Sequence, residues 1–218
     1  MAREPDKLDC ETISWKHINS LLEVVNHRIL ASLDGYSVHI LNWQDILEPG
    51  FAPEDMKRFI SSNVLPRPRD FIFFFQRCFY NARSRGASYL SQQDFNGAMI
   101  EYSEHAFKSL CAESQPYIPN MENILYEFAG ENKILSLDAV VERLRKAGIA
   151  KRNIKKTINY LIESSFLGFE IKDSIFHFPI TPRALLIAAK KVWAPRKFIQ
   201  KPERLKIHNA FHNALLLG

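Results

Sequence analysis

Glycine is scarce in this chain. Eight glycines among 218 residues leave few positions for tight, left-handed turns and argue for a mostly helical fold. Cysteine is scarcer still. Cys10, Cys78 and Cys111 are odd in number and far apart, which argues against a disulfide framework or a zinc knuckle and suits a reducing cytoplasm. No apolar run has the length of a membrane span, and the polar start Met-Ala-Arg-Glu-Pro-Asp-Lys leads into no signal-peptide core. The expectation is a cytoplasmic chain with no membrane partner. Also missing are a phosphate-cradling Gly-x-x-x-x-Gly-Lys-Ser/Thr loop, an apolar strand ending in paired acids that would hold magnesium, a Gly-x-Ser-x-Gly elbow, and any Cys/His cluster at metal spacing. His208 and His212 stand four apart on an expected helix, but Asn209 follows His208 where a zinc hydrolase has Glu, and no third ligand is evident. They read as packed or surface histidines. Paired acids such as Glu54-Asp55 follow Pro53 and read as helix-start charges. The chain alone is therefore expected to be no enzyme and to carry no cofactor or metal of its own.

Apolar and aromatic residues are plentiful: hydrophobic content is 46% with sixteen Phe, enough for a packed globular core. Charge is uneven. Residues 1–60 hold six Lys/Arg against ten Asp/Glu, whereas the remainder carries a net +9. A polyanion would therefore meet the C-terminal part. The stretch Leu65-Pro-Arg-Pro-Arg-Asp-Phe-Ile-Phe-Phe-Phe-Gln-Arg-Cys-Phe-Tyr80 organises the rest. Pro68 suits a first helical position, where its missing N–H is not needed, and Asp70 suits the dipole of a first turn. The run 71–75 leaves no polar face for a turn and a half, which predicts a buried central helix over about 68–85, stopped by Gly86. Arg67 and Arg69 stand at its mouth. They either pair with neighbouring acids or contact an anion, most plausibly a phosphate, for which guanidinium offers forked donors.

Helical periodicity predicts further elements: 14–33 capped by Ser14, a short helix near 43–48, one over 53–62 behind Pro53, and one after the Ser91-Gln-Gln-Asp94 capping signal reaching about Leu110. Gln115-Pro116 and Pro119 make a joint. Beyond it come helices near 119–129, 136–148 and 151–164, then a hairpin over 166–178 with its turn at Lys172-Asp-Ser. Ile134 and Leu135 supply a candidate extra strand. Thr181-Pro182 starts a helix to about Trp193, residues 196–206 read as an irregular basic connection, and a last short helix covers about 208–217. The fold class expected is mainly α: a helical lid-like bundle (1–115), a winged helix-turn-helix with a small β-hairpin wing (116–180), and a basic C-terminal helical extension (181–218).

Two basic surfaces follow. Arg152, Lys155, Lys156 and Asn159 lie outward on the third helix of the winged unit, where a recognition helix meets DNA, and Lys172 at the hairpin turn is placed for an adjacent phosphate. The alternative is a solvated face or one docked on protein. Arg183, Lys190, Lys191, Arg196, Lys197, Lys201, Arg204 and Lys206 form a second patch opposed by a single acid, Glu203. Apolar residues interleave with it, as in a packed segment with a basic outer face.

Arg67-Pro-Arg-Asp70, Tyr102-Ser103, Leu161-Ile-Glu-Ser-Ser-Phe-Leu-Gly168 and Ile207-His208-Asn-Ala-Phe211-His-Asn-Ala-Leu215 together resemble the C-terminal half of bacterial P-loop ATPases, the STAND-like and origin-recognition-like AAA+ relatives of DNA repair and anti-phage defence. The last stretch resembles that family's closing helix. The resemblance implies a lid whose arginine, Arg67 or Arg69, senses the terminal phosphate of ATP. It also implies ATP and magnesium held by a P-loop nucleotide-binding domain in a longer protein or a separate subunit. The function expected is the regulatory, double-stranded-DNA- or partner-binding part of such an ATPase, with room for a homo-oligomer. A free-standing winged-helix regulator and a pure protein-interaction module are the alternatives.

Overall fold

Alternating requirements of burial and capping set the helices. The computed structural model describes residues 17–32, 42–172, 174–178 and 204–218, with no side-chain placement at 171 and 172. It is mainly helical with a small four-stranded antiparallel sheet. Helix α1 (Ile18–Ser32) buries Leu21, Leu22 and Val25. A short α2 (Trp43–Ile46) is capped by Asn42, and α3 (Pro53–Asn63) starts on its proline. The central helix α4 (Pro68–Ser84) has Pro68 at its first position and Arg67 as the extended residue before it, as the sequence predicts. It is not buried all round. Phe71, Phe74, Phe75 and Cys78 face inward, Ile72 and Phe73 are half-buried, and Arg69, Gln76 and Tyr80 line an exposed edge.

Helix α5 (Gln92–Ser114) lies along α4 and begins in the expected capping box. The Ser91 backbone N–H and hydroxyl both donate to Asp94 Oδ2 at 2.8 Å, and Arg85 Nη2 donates to the same oxygen at 2.6 Å. Burial alone would raise the Asp94 pKa, but the bonds from Arg85 and Ser91 bring it below the usual carboxylate value. Between α4 and α5, edge-to-face rings fill the core: Phe74 meets Phe95 at 5.7 Å and Tyr102 at 5.8 Å, and Phe75 meets Phe95 at 6.0 Å.

Past the joint, α6 (Met121–Tyr126), α7 (Leu137–Lys146) and α8 (Lys151–Glu163) present Ile124, Leu125, Val140, Leu144, Ile154, Ile158 and Leu161 to one core. Ser136 caps α7 by accepting from the Ala139 N–H. Gly148 ends it at φ +81°, letting the Ile149 N–H reach back to the Leu144 carbonyl at 2.9 Å. Strands β1 (Ile134–Ser136), β2 (Leu167–Lys172) and β3 (Ile175–His177) include the expected extra strand and hairpin. Gly168 leaves room for the Phe178 ring, which a Cβ would meet at 2.7 Å.

The end of the chain corrects the sequence reading. Residues Arg204–Ile207 form strand β4 where an irregular connection was expected. It lies between β1 and β2, giving the order β1-β4-β2-β3. The helix expected over 208–217 is instead a 3-10 turn, Asn209–Phe211, followed by further turns, so the likeness of 207–215 to a closing helix does not hold. Arg204-Leu-Lys-Ile buries Leu205 and Ile207 in alternation, a two-residue period that a helix cannot use. Ser14 and the helix expected over 181–193 lie outside the described residues. The buried residues, from Leu21 to Leu215, make one continuous cluster.

Gly148→Ala should lower stability by about 1 kcal/mol, because nothing surrounds a new Cβ and the whole cost is the left-handed backbone. Urea unfolding measures it; an unchanged midpoint would place the α7–α8 turn in a different conformation.

Candidate nucleic-acid interface

Three helix ends converge at the mouth of α4. Arg67 donates to Glu113 Oε2 at 3.1 Å, near the end of α5, and to the Ser164 carbonyl at 3.1 Å, just past α8. Arg69 donates to Glu113 Oε1 at 2.5 Å. The positive end of the α4 dipole and a guanidinium thus meet the negative ends of α5 and α8, where a cation is favoured. Of the two readings that the sequence leaves open, the arginines here pair with a neighbouring acid. An arriving phosphate would have to displace Glu113.

Beneath the arginines, Asp70 is fully buried. Tyr102 donates its hydroxyl to Asp70 Oδ1 at 3.0 Å and accepts the Leu65 N–H at 2.9 Å, while Asp70 Oδ2 has no hydrogen-bond partner. Burial raises the Asp70 pKa, opposed by the Arg67 charge, the Tyr102 bond and Arg69. His105 stacks on Phe73 at 3.9 Å, and burial lowers its pKa.

Next to this clasp runs the outer face of α8. Arg152, Lys155 and Lys156 are exposed and Asn159 half-buried. With Tyr117, Ile118, Tyr160 and Glu163 they line a cleft of about 700 Å³. Tyr117 is 67% exposed, and its ring lies 6.1 Å from that of Tyr160. Burial and then the Glu113 charge push the Tyr160 hydroxyl up in pKa, so the cleft abuts the arginine clasp.

The structure therefore brings Arg152, Lys155, Lys156 and Asn159 together, and separately Arg67 and Arg69. Lys172 pairs with Ile175 at the turn end of the hairpin, its side chain lying outside the description. Arg183, Lys190, Lys191, Arg196, Lys197 and Lys201 also lie outside it. Arg204 is ion-paired with Glu170 across β2 and β4. Sequence reasoning missed Tyr117, Tyr160, Glu163, Glu113 and Ser164. Tyr160 was within reach, since it stands four residues after Lys156 on the same helix face.

His208 is buried and its Nδ1 accepts the Ala210 N–H at 3.1 Å, so the ring caps the closing turn. Burial, then His212, Lys206 and Arg67, lower its pKa to about 3. Among the described residues no group of three or more His, Cys, Asp or Glu stands together as a metal site. No described helix is long and apolar enough to cross a membrane.

Residues 19–111 match the family described as the FunZ-associated C-terminal helical domain, a match that covers α1 to most of α5 and under half of the chain. No curated protein and no solved structure matches.

Two outcomes check this geometry. Arg67→Met removes both the ion pair and the bond to the Ser164 carbonyl and should cost about 1–2 kcal/mol in urea unfolding; no loss would mean that the three helix ends hold without it. His208 stays neutral in the fold while the unfolded chain takes up its proton below the ordinary value of 6.5. Its contribution is whole above pH 6.5 and is lost as pH falls toward 3. His208→Asn keeps a capping acceptor, so it should flatten the fall in stability between those limits; an identical pH profile would refute the burial of a neutral ring.

Proposed function

We propose that this chain is a C-terminal, duplex-DNA-binding part of a larger protein, with α8 as its recognition helix. The observation that carries this reading is the exposed basic face Arg152, Lys155 and Lys156 on the first turns of α8. A helix N-terminal half that projects three cations and little acid is the part that enters a major groove and neutralises phosphates. The order α6, α7, α8 and then the β2–β3 hairpin supports a winged-helix reading of that module, with the hairpin as the wing. Strand β4, inserted between β1 and the hairpin, is a departure from the plain form.

The family match ends at residue 111, a few residues before the joint, which supports treating the part beyond it as an appended module. Its description as a C-terminal domain supports a longer protein. The nucleotide-sensing role for Arg67 and Arg69, drawn from resemblance to P-loop ATPases, has weaker support: Glu113 engages both guanidinium groups. A P-loop domain in the same protein or a separate subunit remains the partner that role would need.

Fluorescence anisotropy with a labelled duplex tests the proposal. Three phosphate contacts should give a log–log salt slope of about −3. Lys155→Glu combined with Lys156→Glu should weaken binding about tenfold or more. No binding at low salt, or an unaltered affinity in the double variant, would overturn it and leave a protein-docking surface as the reading.

A further inference from the structure

The geometry points to a seat for one unpaired nucleotide in the cleft between α8 and Tyr117, so that the chain prefers duplexes carrying a single-stranded segment. This inference rests on the DNA-binding reading of α8 and names the form of nucleic acid that the same site takes.

Three observations carry it. First, the cleft, at about 700 Å³, lies in the size range of sites that hold small organic ligands. Second, its chemistry is divided along its length. Arg152, Lys155 and Lys156 occupy the N-terminal part of α8, and Tyr160 and Glu163 the C-terminal part. At 1.5 Å per residue, Arg152 and Glu163 stand about 16 Å apart along the helix axis. A nucleotide has the same polarity: an anionic phosphate at one end and a flat, uncharged base at the other. Glu163 repels phosphate from its own end and can accept a hydrogen bond from a base amino group, so it orients the ligand as well as discriminating against the reverse fit.

Third, the aromatic pair has an open side. The ring of Tyr117 is 6.1 Å from that of Tyr160 and tilted 41° to it, and Tyr117 is 67% exposed. A large aromatic ring left this open beside a basic helix is a stacking surface. Within a duplex both faces of a base are already covered by neighbours, so only an unpaired or terminal base can use it.

The phosphates of the adjoining duplex would then track Arg152, Lys155 and Lys156, and the first unpaired base beyond it would lie between Tyr117 and Glu163. Stacking needs a ring face and not a base sequence, so the preference is for structure over sequence.

The test compares a blunt duplex of about 20 base pairs with the same duplex extended by about five unpaired nucleotides, at either end polarity, a length within the range such sites engage. Anisotropy titrations of the 218-residue chain at one salt concentration give the ratio. The extended duplex is expected to bind about tenfold more tightly, the scale of one stacked base. Tyr117→Ala should abolish that ratio while leaving the blunt duplex within about twofold, since an exposed ring does not hold the core. Tyr160→Phe keeps a ring and should preserve the ratio. Equal binding of blunt and extended duplexes by the unaltered chain, or a ratio that survives Tyr117→Ala, overturns the inference. The DNA-binding reading still stands in that case if Lys155→Glu with Lys156→Glu weakens the blunt duplex. Failure to bind either DNA at low salt ends both.

Discussion

Burial of the phenylalanine-dense face of α4 is the constraint from which the rest of the structure follows. Phe71, Phe74 and Phe75 are each worth roughly 1.5–3 kcal/mol once removed from water, and no other described helix carries a comparable aromatic run. They can be covered together only by a long partner, which α5 supplies through Phe95, Ala98 and Tyr102. Rings in edge-to-face contact tolerate little sliding, so the two helices are fixed in register as well as in proximity. That register sets the mouth of α4. It turns Asp70 inward beneath Tyr102 and leaves Arg67 and Arg69 beside Glu113.

Much of this was legible because it is local. Pro68 marks the α4 start, Ser91 and Asp94 the α5 start, Ser136 and Gly148 the limits of α7, and the alternation around Phe169 the hairpin, each through chemistry within a few residues. What escaped is decided at long range. Strand β4 is four residues, two of them basic, and its hydrogen-bonding partners lie some 40 to 70 positions away at β2 and β1. Nothing near Arg204 announces them. The same applies to Glu113, which joins the arginines 44 and 46 positions earlier. A pair of arginines reads in sequence as two cations seeking an anion. Whether that anion is a side chain or a ligand depends on which helix end arrives beside it.

The site behind α8 shows the reverse balance. Its cations were legible because helical periodicity places Arg152, Lys155 and Lys156 on one outward face. Its aromatic half was not, since Tyr117 belongs to a joint without periodicity and reaches the cleft only through the packing of that joint against α8. Charge alone suggests a generic polyanion surface. Adding the two rings and Glu163 divides the surface along its length, and the proposed ligand orientation rests on that division.

The C-terminal segment explains why such a site is held firmly to the helical part rather than hanging from it. β4 completes the sheet between β1 and β2, and the turn after it returns to the bundle: the Ala214 N–H donates to Ser103 Oγ at 2.9 Å, and Asn209 donates to Asn63 at 3.2 Å. Gly130 meets the Leu215 carbonyl at 2.8 Å, tying the loop after α6 to the same segment. A module attached only at the joint near Pro116 would pivot about one strand of chain. Here the chain crosses twice, and Arg67 adds a third tie through Ser164. The end of α8 is thereby joined, through Arg67 and Glu113, to the mouth of α4 and the end of α5.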